Sequence, residues 1–403
     1  MSGKMPVRAT DLQGASRLAI DATLGLTRLV ETLHHNILRA PTPFGESTQQ
    51  PAQGITGFVY KSVRGVTRLV GGSIDLLLRQ SVPLLAPNHA DSSAEREAVV
   101  AALNGVLGDH LAATNNPLAI PMQWRRAGEP LSLTRSALKR ALPMSTGKIV
   151  VLIHGLCMND LQWRRNGHDH GAALAEDAGF TPVYLHYNSG LHIGDNGRAL
   201  AQQIEILAKA WPVAVEEIVI LGHSMGGLVA RSACHYAALA QQDWLQHLRR
   251  MIFLGTPHHG AALERGGNWI DTVLDASPYT TAFARLGKLR SAGITDLRHA
   301  NLLEVDWKHR DRFARSRKKP TFVPLPKNVA CYAIAASLAK KSGEPAKALW
   351  GDGLVTVSSA LGQHANSSRS LAIPKSRQWI GYGMNHLDLL DRKQVYARIR
   401  RWL

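Results

Sequence analysis

The sequence predicts an α/β protein, with a mainly parallel sheet covered on both faces and a helical region in front of it. Three observations predict this class. From Gly147 onward, short runs rich in β-branched residues alternate with stretches of helical periodicity. These runs are apolar throughout and do not alternate, as strands buried on both faces must be. A Gly222-His-Ser-Met-Gly226 pentapeptide also stands between one such run and one such helical stretch.

The elements follow in chain order. Ala15, Ala19, Ala22, Leu26, Leu29, Leu33 and Ile37 recur at steps of three and four, one apolar stripe on a helix that Pro41 and Pro43 end. Ile55, Val59, Val63, Val66, Val70, Ile74 and Leu77 repeat the pattern, and a third helical stretch spans Ser92 to His110. The first two share the strings Gly25-Leu-Thr-Arg-Leu-Val30 and Gly65-Val-Thr-Arg-Leu-Val70, too little for a solenoid. Residues 1–145 are therefore expected to form a helical accessory region and residues 146–403 the catalytic domain. Strands are expected at Lys148–His154, Pro182–Tyr187, Glu217–Leu221, Met251–Leu254 and Val329–Ala335, with helices at Asn196–Trp211 and Met225–Ala240. About seventy residues, roughly 258–327, interrupt the alternation. An insertion of that length in a compact α/β core is usually functional, and here it is expected to be a lid.

Of the 403 residues, 45% are hydrophobic and 19% charged, which excludes a disordered chain. Forty-seven Lys and Arg against 30 Asp and Glu give +17, which favours polyanions or an anionic membrane face. Nucleic acid is not expected, since no zinc-finger spacing, aromatic RNA-binding strand or helix-turn-helix pattern accompanies the charge. Arg17, Arg28, Lys61, Arg64 and Arg68 beside the apolar stripes would suit peripheral contact with anionic lipid. The same helices could equally pack on the catalytic domain, pair with each other or form an oligomer interface. Cys157, Cys234 and Cys331 read as reduced, buried thiols. Met1 to Asp11 carries no apolar signal region, and no run is long enough to span a bilayer. A cytoplasmic location, peripheral at a membrane if the helices bind one, is the resulting expectation.

The pentapeptide carries the chemistry. A serine hydroxyl is a weak nucleophile until a base takes its proton, and it must project clear of the sheet. A sharp strand-to-helix turn achieves this and crowds the backbone, so glycines are needed on both sides of Ser224. His223, inside the motif, reads as a packing and orienting residue. Attack on an ester creates an oxyanion, and two backbone N–H groups are the simplest stabilisers. Met225, after the nucleophile, and Leu156, after His154-Gly155 at the end of the first core strand, are the expected donors. Asp352, in the turn Gly351-Asp-Gly-Leu-Val355, is the expected acid, and His386, in Tyr382-Gly-Met-Asn-His-Leu-Asp388, the expected base. The order Ser224, Asp352, His386 matches the order of a hydrolase triad. His364 is the rival base, but it follows Asp352 by only twelve residues.

His154-Gly-Leu156, Gly222-His-Ser-Met-Gly-Gly227, Gly255-Thr-Pro-His-His-Gly260, Asp352-Gly-Leu-Val355 and Asn385-His-Leu-Asp388 together resemble the lipase and GPI-inositol-deacylase-like (PGAP1-like) branch of the α/β hydrolases. The resemblance covers residues 147–403. It implies an α/β-hydrolase fold and hydrolysis of carboxylic esters, small or lipid-like, with no organic cofactor. Related secreted lipases bind a structural calcium through an Asp placed like Asp388. Those enzymes supply a second carboxylate upstream of the acid turn, where this chain has only Glu344. Asp388 is therefore expected to be structural and no metal is expected. Two other functions stay open on sequence alone, an acyltransferase using the same triad and a catalytically silent membrane-associated scaffold.

Overall fold

The computed structural model describes residues 9–21, 24, 94–260, 291–308, 319–341 and 351–403. The chain forms two compact units, Met1–Arg96 with Ala113–Leu118, and Glu97–Ala112 with Ala119–Leu403. In the smaller unit residues 9–21 are helical. Arg17 donates to the Asn115 carbonyl at 2.8 Å and Asn116 to the Gly14 carbonyl at 3.0 Å, while Arg96 pairs with Asp11. The stripe from Ile55 to Leu77 lies outside the described residues.

The larger unit is built on an eight-stranded sheet of order β2-β1-β4-β3-β5-β6-β7-β8. The strands are β1 (Gln123–Arg126), β2 (Glu129–Pro130), β3 (Lys148–Ile153), β4 (Thr181–His186), β5 (Glu217–His223), β6 (Leu248–Leu254), β7 (Ala330–Ser337) and β8 (Gln378–Tyr382). From β4 to β8 every pairing is parallel, whereas β1 runs antiparallel to β4 and to β2. The five expected strands are present within a few residues of their expected ends. The β1–β2 hairpin, in contrast, falls in the stretch read as helical. Gln-Trp-Arg-Arg and Glu-Pro carry no β-branched run, so their extension comes from pairing with β4 and not from local propensity. This pairing carries the larger unit upstream of the 145/146 break.

Alternate residues of β3 show why the run is apolar throughout. Ile149, Val151 and Ile153 pack on one face with Leu200, Ile204 and Leu207 of the helix Ile193–Ala210. Val150 and Leu152 face the other way, toward Leu174, Val395 and Ile399. Among the described residues from Ala94 onward, the α-helices of eight residues or more are α1 (Ala94–Ala113), α2 (His170–Ala178), α3 (Ile193–Ala210), α4 (Met225–Leu239), α5 (Ala292–His299) and α6 (Lys393–Trp402). Helix α5 belongs to the expected lid, yet its Ile294 and Leu297 join the same core cluster as β3. The far end of that insertion is thus anchored in the core, while residues 261–290 and 309–318, with most of the basic run 309–319, lie outside the described residues. Among the described residues no helix is long and apolar enough to cross a membrane.

The three cysteines are free and buried, and burial pushes the Cys157 and Cys331 thiols up to about 12. Burial also keeps several histidines neutral. It lowers His154 to about 3 and His170 to about 4, and it holds His223 and His258 well below the ordinary value of 6.5. The unfolded chain protonates these imidazoles below about pH 6.5, and the folded chain does not until far lower, so unfolding takes up protons. Stability is therefore complete above pH 6.5 and falls as the pH drops toward 4, at up to about 1.4 kcal/mol per pH unit for each histidine. Urea midpoints at pH 7.5 and pH 5 should show a large loss at the lower pH. Equal midpoints would show that these histidines protonate in the native state.

Candidate active site

Strand β5 delivers the serine. Its last residue is His223, and α4 starts at Met225, so the whole turn is made at Ser224, with φ 54° and ψ −124°. A non-glycine residue in this region costs on the order of 1–3 kcal/mol and persists only where the surroundings impose it. Here they do. Ser224 N–H donates to the Leu254 carbonyl of β6 at 2.8 Å, and its own carbonyl accepts from Gly227 N at 3.1 Å. A Cβ on Gly226 would come within 2.3 Å of the Ile153 carbonyl oxygen, so β3 and the start of α4 can approach only through a glycine. The Met225 N–H lies in the first helical turn, outside the helix's own hydrogen-bond ladder and at the positive end of its dipole.

The His154-Gly155-Leu156 segment leaves β3 against this turn. A Cβ on Gly155 would lie 3.1 Å from the Ser224 Cβ. The His154 ring stacks on Tyr187 at 4.3 Å, the Tyr187 hydroxyl donates to the His154 carbonyl at 2.9 Å, and Cys157 N–H donates to Ser189 Oγ at 3.0 Å. Leu156 is thereby fixed between two anchored residues, and it is buried.

Asp352 and His386 arrive from the ends of β7 and β8. Asp352 Oδ1 accepts from Leu354 N at 2.9 Å and Val355 N at 2.8 Å, leaving Oδ2 to accept from His386 Nδ1 at 2.6 Å. A carboxylate oxygen only accepts, so the network assigns the imidazole proton to Nδ1 and leaves Nε2 as a proton acceptor. His386 Nε2 is buried and has no partner among the described residues. The loop around it is tied down. Asn385 Oδ1 accepts from Leu387 N at 2.9 Å and Asp388 N at 3.0 Å, and Asp388 Oδ2 accepts from Asn385 N at 2.9 Å and pairs with Arg392 at 3.2 Å. Asp388 thus spends its carboxylate on the loop that carries His386. His223 Nε2 donates to the His386 carbonyl at 3.2 Å, which joins the residue before Ser224 to the backbone of His386.

The structure therefore gathers Ser224, Met225, Leu156, Asp352 and His386 at the C-terminal edge of the parallel strands. His364 stands elsewhere, its Nδ1 accepting from Asn366 N at 2.9 Å and its ring 4.9 Å from His259. Sequence reasoning gave no role to Gly255. At φ 58°, a Cβ there would lie 2.9 Å from His386 Cε1 and 3.0 Å from Nδ1. The signal was available in the glycine that ends β6 beside Thr-Pro. Gly255→Ala should displace the imidazole and cut turnover by about 10²-fold, the cost of a misplacement near 1 Å. Steady-state kinetics on a soluble ester checks this, and an unchanged kcat would show that the ring has room to spare.

Residues 144–330 match the family described as the PGAP1-like alpha/beta domain. No curated protein sequence matches the chain. Among solved structures, the mature lipase BlEst2 of Bacillus licheniformis is 17% identical over 69% of this chain and 97% of its own, with a TM-score of 0.41. A lipase-esterase related protein of Clostridium acetobutylicum is 12% identical over 70% of this chain and 99% of its own, at 0.37, and an esterase of Thermogutta terrifontis 14% identical over 70% and 93%, at 0.36. Residues 144–330 thus match the PGAP1-like alpha/beta domain, and the parallel sheet with the serine turn after β5 is an α/β-hydrolase-type architecture.

Proposed function

We propose that the protein is a serine hydrolase of carboxylic esters, lipid-like by preference, that works through an acyl-enzyme on Ser224. The observation that carries this reading is the 2.6 Å bond between Asp352 and His386, which leaves a buried Nε2, unpartnered among the described residues, at the sheet edge that presents Ser224. Ser224 Oγ attacks the ester carbonyl as His386 Nε2 takes its proton. The carbonyl oxygen becomes an oxyanion, stabilised by N–H groups of Met225 and Leu156. Collapse expels the alcohol, which takes the proton back from Nε2. Water then enters by the same route, and the carboxylic acid leaves with Ser224 Oγ–H restored. Asp352 holds the Nδ1–H tautomer and stabilises the imidazolium. The insertion at residues 258–327 would cover the site as a lid, and the basic, amphipathic N-terminal region would bring the enzyme to anionic lipid.

A fluorophosphonate probe tests the reading directly, because it labels only an activated serine. The full-length protein should take up one probe, on the peptide containing Ser224. Absence of labelling in folded protein would favour the silent scaffold. Hydrolysis run with added alcohol separates an acyltransferase, which would release a new ester in place of the acid.

A further inference from the structure

We propose that a cavity whose lining includes Arg231, His258, His259, Lys319, His364 and Arg369 binds a phosphate-type oxyanion. The cavity measures about 140 Å³, roughly tenfold what one water requires, and among the described residues no Asp or Glu lines it.

Three of its side chains each hold a buried nitrogen with no partner among the described residues. Arg231, on α4, is almost wholly buried. Its Nη2 donates to the Val323 carbonyl and its Nη1 to His258 Nδ1 at 3.4 Å, but its Nε has no partner and no carboxylate pairs with it among the described residues. A buried guanidinium without a counter-charge is costly, and proteins meet that cost by pairing it. A guanidinium can only donate, so His258 Nδ1 must accept and the ring proton must sit on Nε2. That Nε2–H is buried and has no partner among the described residues, and neither does the His259 Nε2, an acceptor because the ring donates to the Gly362 carbonyl. Asp306 is at hand through its Oδ1, which accepts from Thr321 N at 2.8 Å. Its Oδ2 is held by Leu302 N at 3.3 Å and Leu303 N at 3.2 Å, so the carboxylate is spent on the backbone.

The donor set therefore calls for acceptors supplied from outside the chain. Arg231, Lys319 and Arg369 bring three positive charges, and the His258 and His364 imidazoles, whose Nδ1 atoms accept, add neutral Nε2–H donors. A tetrahedral dianion with three or more acceptor oxygens can engage such a set, whereas a carboxylate's two oxygens would leave much of it unmet. The site is anchored to the same elements as the serine. Arg231 lies two turns along α4 from Ser224, and His258 lies three residues past Gly255.

Calorimetric titration of the full-length protein with inorganic phosphate, at ionic strength held constant with chloride, tests the proposal. Saturable binding is expected, weakened about 10-fold or more in K319Q/R369Q, the loss of at least one charge-assisted hydrogen bond. Lys319 is exposed and Arg369 half-buried, so this variant should fold, and circular dichroism verifies it. R231M probes the buried cation in the same way. No phosphate heat beyond the chloride control, or equal affinity in wild type and K319Q/R369Q, would overturn the proposal. Competition assigns the source. Phosphate that inhibits hydrolysis of a short-chain phosphatidic acid but not of a neutral ester places a substrate's phosphate here, and binding without that competition places the free anion. The calorimetry does not depend on ester turnover, so failure of the anion site and failure of the hydrolase reading are told apart.

Discussion

Ser224→Ala will lower turnover of a carboxylic ester by about 10⁶-fold, the typical cost of removing a triad nucleophile. It will do so without unfolding the chain. The backbone conformation at Ser224 is imposed by the Leu254 carbonyl, by Gly226 and by the start of α4, none of which involves the hydroxyl. Alanine meets the same strain at φ 54° as serine does, so the strain energy cancels in the comparison. The variant should match wild type in circular dichroism and urea midpoint, lose fluorophosphonate labelling and retain substrate binding. A variant that keeps a tenth of wild-type activity at equal purity would exclude Ser224 as the nucleophile.

The parallel sheet and the turns that place Ser224, Asp352 and His386 were legible because each leaves a local mark. Ile149–Ile153 is apolar at every position because α2 and α6 cover one face and α3 the other. Ser224 is framed by glycines because a Cβ on Gly226 would strike β3. Asp352 sits in a glycine turn whose N–H groups its own side chain caps. What stayed hidden depends on distant partners. The β1–β2 hairpin is extended only because β4 supplies its hydrogen bonds. Helix α5 reads as part of an insertion, yet Ile294 and Leu297 bury it in the core. Gly255 faces His386 across 131 residues of sequence, and no window around either residue reveals the contact. The same holds for Arg231, whose partner His258 and the cavity they share are products of the fold.

Asp352→Asn separates an orienting carboxylate from a merely buried polar residue. Asp352 Oδ1 is pinned by Leu354 N and Val355 N, so an asparagine here will keep its carbonyl oxygen toward those donors and turn its amide NH₂ toward His386. An NH₂ can only donate, so Nδ1 must become the acceptor and the ring proton must move to Nε2. The base then presents N–H to Ser224 where a lone pair is required. Turnover should fall about 10⁴-fold with geometry and volume preserved, and the wrong tautomer should show in the imidazole ¹⁵N resonances of His386. His386→Ala removes the base outright and should match the serine knockout. Because the residues act as one unit, D352N/H386A should be no slower than H386A alone. If the two losses add, Asp352 acts through something other than His386, and the carboxylate must be sought elsewhere.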